Sequence, residues 1–326
     1  MKYLFTGGGT AGHITPALAV AEVLLRRDAN AKILFVGREG GAENEKIRAL
    51  GYEVREIPIA GLERRFTPKN AAVLLTLCRG LSHAGRILRE ECPDVVLGTG
   101  GYVSYPVLHT AARYGIPTFL HESNAVPGLA ARRLARRCDG VLLGVPGSES
   151  AFPRGTRTLT VGNPVRRGFS ERSKKEEKRR LGIPSDHLLI LSFGGSLGSE
   201  KMNGLLLSFL ADDSAEKKKV FHIHATGERY FFSLPEKYRR FTTGRGKCRV
   251  LPYIDDMPHL MRAADIVISR AGAMTLAELA VAECAAILIP SPNVTENHQY
   301  KNAKHFEKAG AAILLAEEEL NEKSLS

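Results

Sequence analysis

What most limits the folds open to this chain is a regular alternation of short, continuous apolar runs with longer stretches of helical periodicity. In the first half, residues 3–6, 32–36, 54–59, 94–97, 118–121, 141–143 and 158–161 read as strands. Residues 17–26, 68–91 and 128–137 read as helices. The runs are mostly apolar throughout rather than alternately apolar and polar, the pattern of strands buried on both faces of a parallel sheet. Strands and helices in turn specify a doubly wound α/β domain.

Near residue 163 the pattern breaks. Asn163-Pro164, a charged stretch over 170–180 and Gly182-Ile183-Pro184 read as an interdomain linker. The alternation then restarts with a strand at 188–193, a glycine turn at Gly194–Gly198 and a helix from about Glu200. Further strands are expected at 220–225, 250–253, 266–269, 286–289 and 311–315. With 326 residues, 44% of them hydrophobic, the chain can fill two cores. The expectation is two Rossmann-like parallel-sheet domains, 1–163 and 164–326, facing one another across a cleft. The mixed-sign run 174–180 reads as a solvated helix without a function.

Charge narrows the partners. A formal charge of +11 and a pI near 9.5 imply an anionic partner. Nucleic acid is disfavoured, because there is no recognition-helix, zinc or RNP signature and the basic residues are not interleaved with stacking aromatics. A membrane surface fits better: residues 60–90 set Arg64, Arg65, Lys69, Arg79 and Arg86 beside Phe66, Val73, Leu74, Leu75, Leu77 and Leu81, although the same stripe suits a core-packing helix. No run of eighteen apolar residues and no signal segment is found, so a cytosolic protein is expected. The five cysteines lack metal-site or disulfide-framework spacing and read as reduced thiols.

Chemistry gathers where strands end. Gly7, Gly8, Gly9 and Gly12 permit close backbone approach, and Thr15 before Pro16 reads as a helix N-cap with proline at the first helical position, together an anion site. A dehydrogenase reading of this G-x-G-x-x-G is weak: Glu39 meets the required acid only loosely, and the second glycine turn is left without a task. His13 follows the loop and reads equally as a base or as a donor to the loop backbone. Gly98–Ser104 offers a second turn with backbone N–H groups. His121-Glu122-Ser123-Asn124 brings an imidazole, an acid and an amide to the same sheet edge. In the second half, Ala273 to Thr275 would offer N–H groups to a diphosphate. Glu278 would accept both hydroxyls of a ribose, against the alternative of a carboxylate serving only the helix dipole. The segment 297–302 supplies amides for sugar hydroxyls. Asp255-Asp256 reads as a helix N-cap pair, since no Asp-x-Asp spacing suited to a metal occurs.

In combination and in order, the glycine loop with His13, Gly98–Ser104, 121–124, 162–166, Gly194–Gly198, 253–257, Ser269–Glu278 and 297–302 resemble the MurG family over nearly the whole chain. These are peripheral glycosyltransferases of the bacterial plasma membrane's cytoplasmic face. They add N-acetylglucosamine to the undecaprenyl-linked muramyl-pentapeptide precursor of peptidoglycan. The resemblance implies a GT-B fold with a membrane-associating acceptor domain at the N-terminus and a donor domain at the C-terminus, closing during the reaction. UDP-N-acetylglucosamine and lipid I are the implied substrates, an anionic membrane surface the implied partner, with no cofactor and no metal. By motif, Thr10, Ala11, Gly12 and Asn124 approach the donor sugar, and Arg166 and Ser196 lie near the diphosphate. Ile254 meets uracil. Ala273, Met274, Thr275, Leu276, Ala277 and Glu278 take the diphosphate and ribose, and Gln299 the sugar hydroxyls. Gly100, Gly101 and Tyr102 line the acceptor side. His13 is the first choice of base for the muramyl C4 hydroxyl and Glu122 the second. The first glycine turn then lies between donor sugar and acceptor rather than cradling the diphosphate.

Ala11 and Ser123 stand where the family commonly has Gly and Gln, and the tail, 317–326, reads as shortened. The alternatives are another GT-B UDP-sugar enzyme, either a glycolipid synthase or a UDP-N-acetylglucosamine epimerase, or a non-catalytic UDP-sugar-binding protein.

Overall fold

The computed structural model describes residues 1–9, 11–61, 69–195, 197–211, 219–243, 246–294 and 297–320. The chain divides into two compact units, Met1–Arg166 and Arg167–Ser326.

In the first unit the strands are β1 (Lys2–Thr6), β2 (Lys32–Arg38), β3 (Glu53–Ile57), β4 (Val95–Gly98), β5 (Thr118–Glu122), β6 (Gly140–Leu143) and β7 (Thr158–Thr160). They form one parallel sheet in the order β3-β2-β1-β4-β5-β6-β7. Helices α1 (Ala11–Arg27), α2 (Ala42–Ala49), α3 (Lys69–Glu91), α4 (Ser104–Arg113) and α5 (Leu129–Leu134) connect them. Because successive strand residues point to opposite faces, Leu4, Leu34, Val96, Leu120 and Val141 pack on one side with Ile87, Leu88, Val107 and Leu108. Phe5 and Phe35 pack on the other with Ile14, Ala17, Ala21 and Ile47. Both faces are apolar, and so the runs in the sequence are continuous.

Two expectations need correction here. Helix α1 starts at Ala11 instead of 17, so Thr15 is not its N-cap and Pro16 lies inside the helix. The bond that Pro16 cannot donate would reach Gly12 in the first turn, so one rung is lost close to the end of the ladder. Helix α5 is shorter than the predicted 128–137.

In the second unit, β8 (Leu188–Phe193), β9 (Val220–Ala225), β10 (Cys248–Leu251), β11 (Ile266–Ser269), β12 (Ala285–Leu288) and β13 (Ala312–Leu314) form a parallel sheet ordered β10-β9-β8-β11-β12-β13. The helices are α6 (Lys174–Arg180), α7 (Glu200–Ala211), α8 (Glu228–Phe231), α9 (Glu236–Arg239), α10 (Met257–Ala263), α11 (Ala273–Ala282) and α12 (His298–Lys308). Strand β10 starts two residues before the predicted 250. Cys248 and Val250 are its inward residues, and Pro252, lacking an N–H, follows its end.

Helix α6 is not the solvated helix expected. Ser173 caps it with a reciprocal Glu176 contact, yet Glu177 and Lys178 are buried. Lys178 Nζ donates to Asp265 Oδ2 (2.5 Å) and to the His187 carbonyl (2.9 Å), and Glu177 pairs with Arg180 and His259. Nor does Asp256 cap α10 with its side chain; its carboxylate lies 3.6 Å from His259 Nε2. Cations do alternate with aromatics over 229–241, with Arg229, Lys237 and Arg240 over Tyr230, Tyr238 and Phe241. Tyr238 and Phe241 are themselves buried, so they offer no open stacking platform.

Between β8, β9 and α7 lies a buried polar chain. His224 Nε2 donates to Asn203 Oδ1 (3.1 Å), Ser192 Oγ lies 2.8 Å from His224 Nδ1, and His222 Nε2 is 2.7 Å from Ser192 Oγ. Asn203 Nδ2 donates to the Thr226 carbonyl (2.9 Å), which fixes the amide and hence the direction of the chain. His222 Nδ1 ends it, buried and without a hydrogen-bond partner.

Candidate active site

In the first unit the strand order reverses between β1 and β4, and in an open α/β sheet ligands gather at that point, beyond the carboxyl ends of the strands. Both glycine turns lie there, packed against each other. A Cβ on Gly101 would fall 2.1 Å from the Gly8 carbonyl oxygen, and one on Gly100 would fall 2.8 Å from His13 Cδ2. Gly100 and Gly101 also take φ of +106° and +77°, so only glycine leaves room for the imidazole.

His13 sits in the first turn of α1 and is held at both ends. Thr99 Oγ1 donates to the His13 carbonyl (2.6 Å), and His13 Nδ1 lies 3.0 Å from the Gly8 carbonyl oxygen. A carbonyl only accepts, so this bond puts the proton on Nδ1, and the neutral ring then carries its acceptor pair on Nε2. Ser104 Oγ, 2.7 Å from the Gly100 carbonyl and 3.1 Å from that of Thr6, ties the second turn to β1. Tyr102 lays its ring against Gly9 and Gly61.

The Gly9 N–H, expected to meet an anion, instead donates to Glu43 Oε1 of α2 (2.8 Å). A carboxylate on this turn repels phosphate, which corrects the reading of 7–16 as an anion cradle. Sequence reasoning missed Glu43, whose only local signal is an acid in a helix's first turn.

On β5 the two polar neighbours differ. His121 is buried, with Nε2 3.2 Å from the Gly162 carbonyl and Nδ1 3.4 Å from Ser123 Oγ; burial lowers its pKa, which disfavours the charged ring. Glu122 receives the Asn124 N–H (3.0 Å) and Nδ2 (3.1 Å) on Oε1 and the Gly128 N–H (3.3 Å) on Oε2. Both its oxygens organise the 122–128 loop. An apolar cavity of about 330 Å³ between Pro16, Val20, Leu97 and Leu142 has little polar lining for a sugar.

In the second unit the order reverses between β8 and β11. There Gly272 caps α11, and Ala273, Met274 and Thr275 form its first turn, the positive end of the helix dipole. Leu276 and Ala277 continue the helix to Glu278, half-buried in the second turn. Ile254 is buried between β10 and α10. Gln299, in the first turn of α12, accepts the Ser291 N–H on Oε1 (2.9 Å), which assigns Nε2 as its donor end. Arg166, the last residue of the first unit, has a buried Nε without a hydrogen-bond partner. Thr10 and Ser196 lie outside the described residues, as do Arg64, Arg65 and Phe66; for Ala11 only the backbone, at the start of α1, is described.

Arg270 was given no separate role by the sequence reading. It donates to Ser199 Oγ (2.7 Å) and to the Ile289 and Pro290 carbonyls (3.1 and 3.2 Å), and it pairs with Glu317. It braces the turns after β8 and β12 on either side of its own loop.

Comparison with known proteins covers both units. The glycosyltransferase family 28 N-terminal domain matches residues 3–143, and the glycosyltransferase family 28 C-terminal domain matches 189–326. The UDP-N-acetylglucosamine–N-acetylmuramyl-(pentapeptide) pyrophosphoryl-undecaprenol N-acetylglucosamine transferase of Thermoanaerobacter pseudethanolicus is 42% identical over 326 residues, 100% of this chain and 89% of that protein. The protein of the same name from Acetivibrio thermocellus is 38% identical over 98% of this chain and 86% of its own length. Among solved structures, that of Acinetobacter baumannii MurG superposes with a TM-score of 0.71 at 27% identity, covering 99% of this chain and 88% of that one.

Proposed function

This chain belongs to the MurG family of glycosyltransferases, with the GT-B fold, and we propose that it carries N-acetylglucosamine from UDP-N-acetylglucosamine to the C4 hydroxyl of undecaprenyl-pyrophosphoryl-muramyl-pentapeptide. The product is lipid II, and the pathway peptidoglycan synthesis. The observation that carries the reading is whole-chain similarity to transferases of that name, together with an imidazole whose bonded Nδ1 leaves Nε2 as its acceptor nitrogen.

The first domain supplies acceptor chemistry. His13 Nε2 takes the C4 proton as that oxygen attacks C1 of the donor sugar, inverting it from α to β as UDP departs. Gly100, Gly101 and Tyr102 shape the acceptor side, and Glu122 holds Asn124, which the family motif assigns to the donor sugar together with Thr10, Ala11 and Gly12. Recognition of the donor falls mainly to the second domain. The first turn of α11 takes the diphosphate and stabilises the charge that UDP gains on leaving, a role to which the family motif also assigns Arg166 and Ser196. Glu278 accepts the ribose hydroxyls, the Ile254 main chain meets uracil, and Gln299 Nε2 donates to the sugar.

The same reading sets the protein on the cytoplasmic face of the plasma membrane. Leu74 and Leu75 on α3 are 60% and 69% exposed, beside exposed Arg79 and Arg86, a combination suited to anionic lipid. Among the described residues no helix is long and apolar enough to cross a membrane, so peripheral contact is the mode proposed.

Incubation with UDP-N-acetylglucosamine and lipid I tests the activity directly. A disaccharide-linked product is expected; UDP-sugar binding without that product would refute transfer.

A further inference from the structure

The peptide between Gly8 and Gly9 is engaged at both ends. Its C=O meets His13 Nδ1 at 3.0 Å, and its N–H donates to Glu43 Oε1 at 2.8 Å. In a trans peptide these groups point in opposite directions, so one planar unit bridges an imidazole and a carboxylate from two helices. We propose that Glu43 is a positioning residue for His13, acting through the Gly8–Gly9 peptide. The inference rests on the reading of His13 as the base.

The reasoning is electrostatic. A carboxylate that accepts an amide N–H draws density toward the carbonyl oxygen of the same resonant unit and makes it a stronger acceptor. A stronger acceptor at Nδ1 holds the tautomer that leaves the lone pair on Nε2, and it stabilises the imidazolium formed when Nε2 takes a proton. A carboxylate bonded directly to a catalytic histidine does the same; here a peptide stands between.

The local sequence is built for the approach. A Cβ on Gly8 would come 2.9 Å from Glu43 Oε1, and one on Gly101 would strike the Gly8 carbonyl oxygen at 2.1 Å. Glu43 is half-buried in the first turn of α2, where the helix dipole favours its negative charge. Among the described residues, the charged or titratable groups on elements around this edge include Glu45, Lys46 and Arg48 on α2, Arg38 and Glu39 at the end of β2, and Tyr102, His121 and Glu122; Arg48 pairs with Glu56 of β3. Tyr102 packs on Gly9 through its ring, His121 bonds Gly162 and Ser123, and Glu122 bonds its own loop. Glu43 is the acid among them whose hydrogen bond lies on the peptide that holds His13.

Glu43→Gln separates charge from loop order, because Gln Oε1 still accepts the Gly9 N–H. In the full chain, with UDP-N-acetylglucosamine and lipid I, this variant should lose about tenfold in kcat with little change in KM for the donor. The acid limb of the pH–rate profile, and the His13 imidazole titration read by NMR and assigned by its absence in His13→Ala, should both move down by up to about one pH unit. A Gln variant with wild-type kcat and titration overturns the proposal, even if Glu43→Ala is inactive, since Glu43 would then only order the loop. Lost turnover with an unmoved His13 titration overturns it as well. If His13→Ala turns over normally, the base assignment fails instead, and the titration still reports on the bridge.

Discussion

Moving from pH 7.5 to 5.5 should weaken the second domain through His222 and His224, and His222→Phe should remove about half of that loss. Both rings are fully enclosed. Burial, with the neighbouring His224 adding to it at His222, holds their pKa values at about 3 and about 4, against an ordinary 6.5. With the folded value below the unfolded one, it is the unfolded chain that binds the extra protons. The stabilisation is therefore complete above pH 6.5 and is lost as the pH falls toward the folded values. At pH 5.5 each ring should cost about 1.4 kcal/mol relative to pH 7.5, and the pair about 3 kcal/mol. That is a substantial part of a domain's usual stability of roughly 5–15 kcal/mol. Phenylalanine at 222 keeps the ring and its edge contact with Phe209, loses one hydrogen bond to Ser192, and cannot titrate. Two domains need not unfold together, so the readout must be local. Native-state hydrogen exchange of peptides spanning β8 and β9, corrected for intrinsic rates, gives the opening free energy at each pH. Equal losses in wild type and His222→Phe would show that His222 does not carry its share of the acid sensitivity.

Three further outcomes are expected. His13→Ala should lower kcat by about 10²–10⁴ while UDP affinity holds, as for loss of a general base; near-normal turnover would pass that role to Glu122. Glu278→Ala should weaken UDP binding by roughly tenfold or more, since hydrogen bonds to a charged group are worth about 1.5–3 kcal/mol each. Calorimetry showing unchanged affinity removes Glu278 from the ribose site. Leu74→Ser with Leu75→Ser should reduce co-sedimentation with phosphatidylglycerol vesicles about tenfold, whereas equal sedimentation would place the membrane contact elsewhere.

Local patterns in the sequence carried much of this structure, and the omissions have a common cause. Continuous apolar runs located the strands because both faces of each sheet are covered, and glycine turns marked the strand ends where ligands gather. Pro16 misled because a proline inside a helix looks, from sequence alone, like a proline at its start. The burial of Lys178 was invisible because its partner, Asp265, is 87 residues away and the run 174–180 has the charge pattern of a solvated face. Glu43 was missed for the same reason, bonding a glycine 34 residues earlier. Side chains whose purpose lies across the fold leave no local periodicity to detect.

The Lys178–Asp265 pair has a consequence for engineering. Asp265 accepts both Lys178 Nζ and the Leu189 N–H, and its own N–H returns to the Leu189 carbonyl. This knot ties α6, β8 and β11 at the amino ends of the strands, about 13 Å of strand away from the turns assigned to the donor. Pairing of the two central strands is thus anchored at one pole and ligand selection conducted at the other. Libraries that diversify 194–198, 271–275 and 290–299, while leaving Arg270 and the knot intact, can search for other sugar nucleotides without reopening the question of how the sheet assembles.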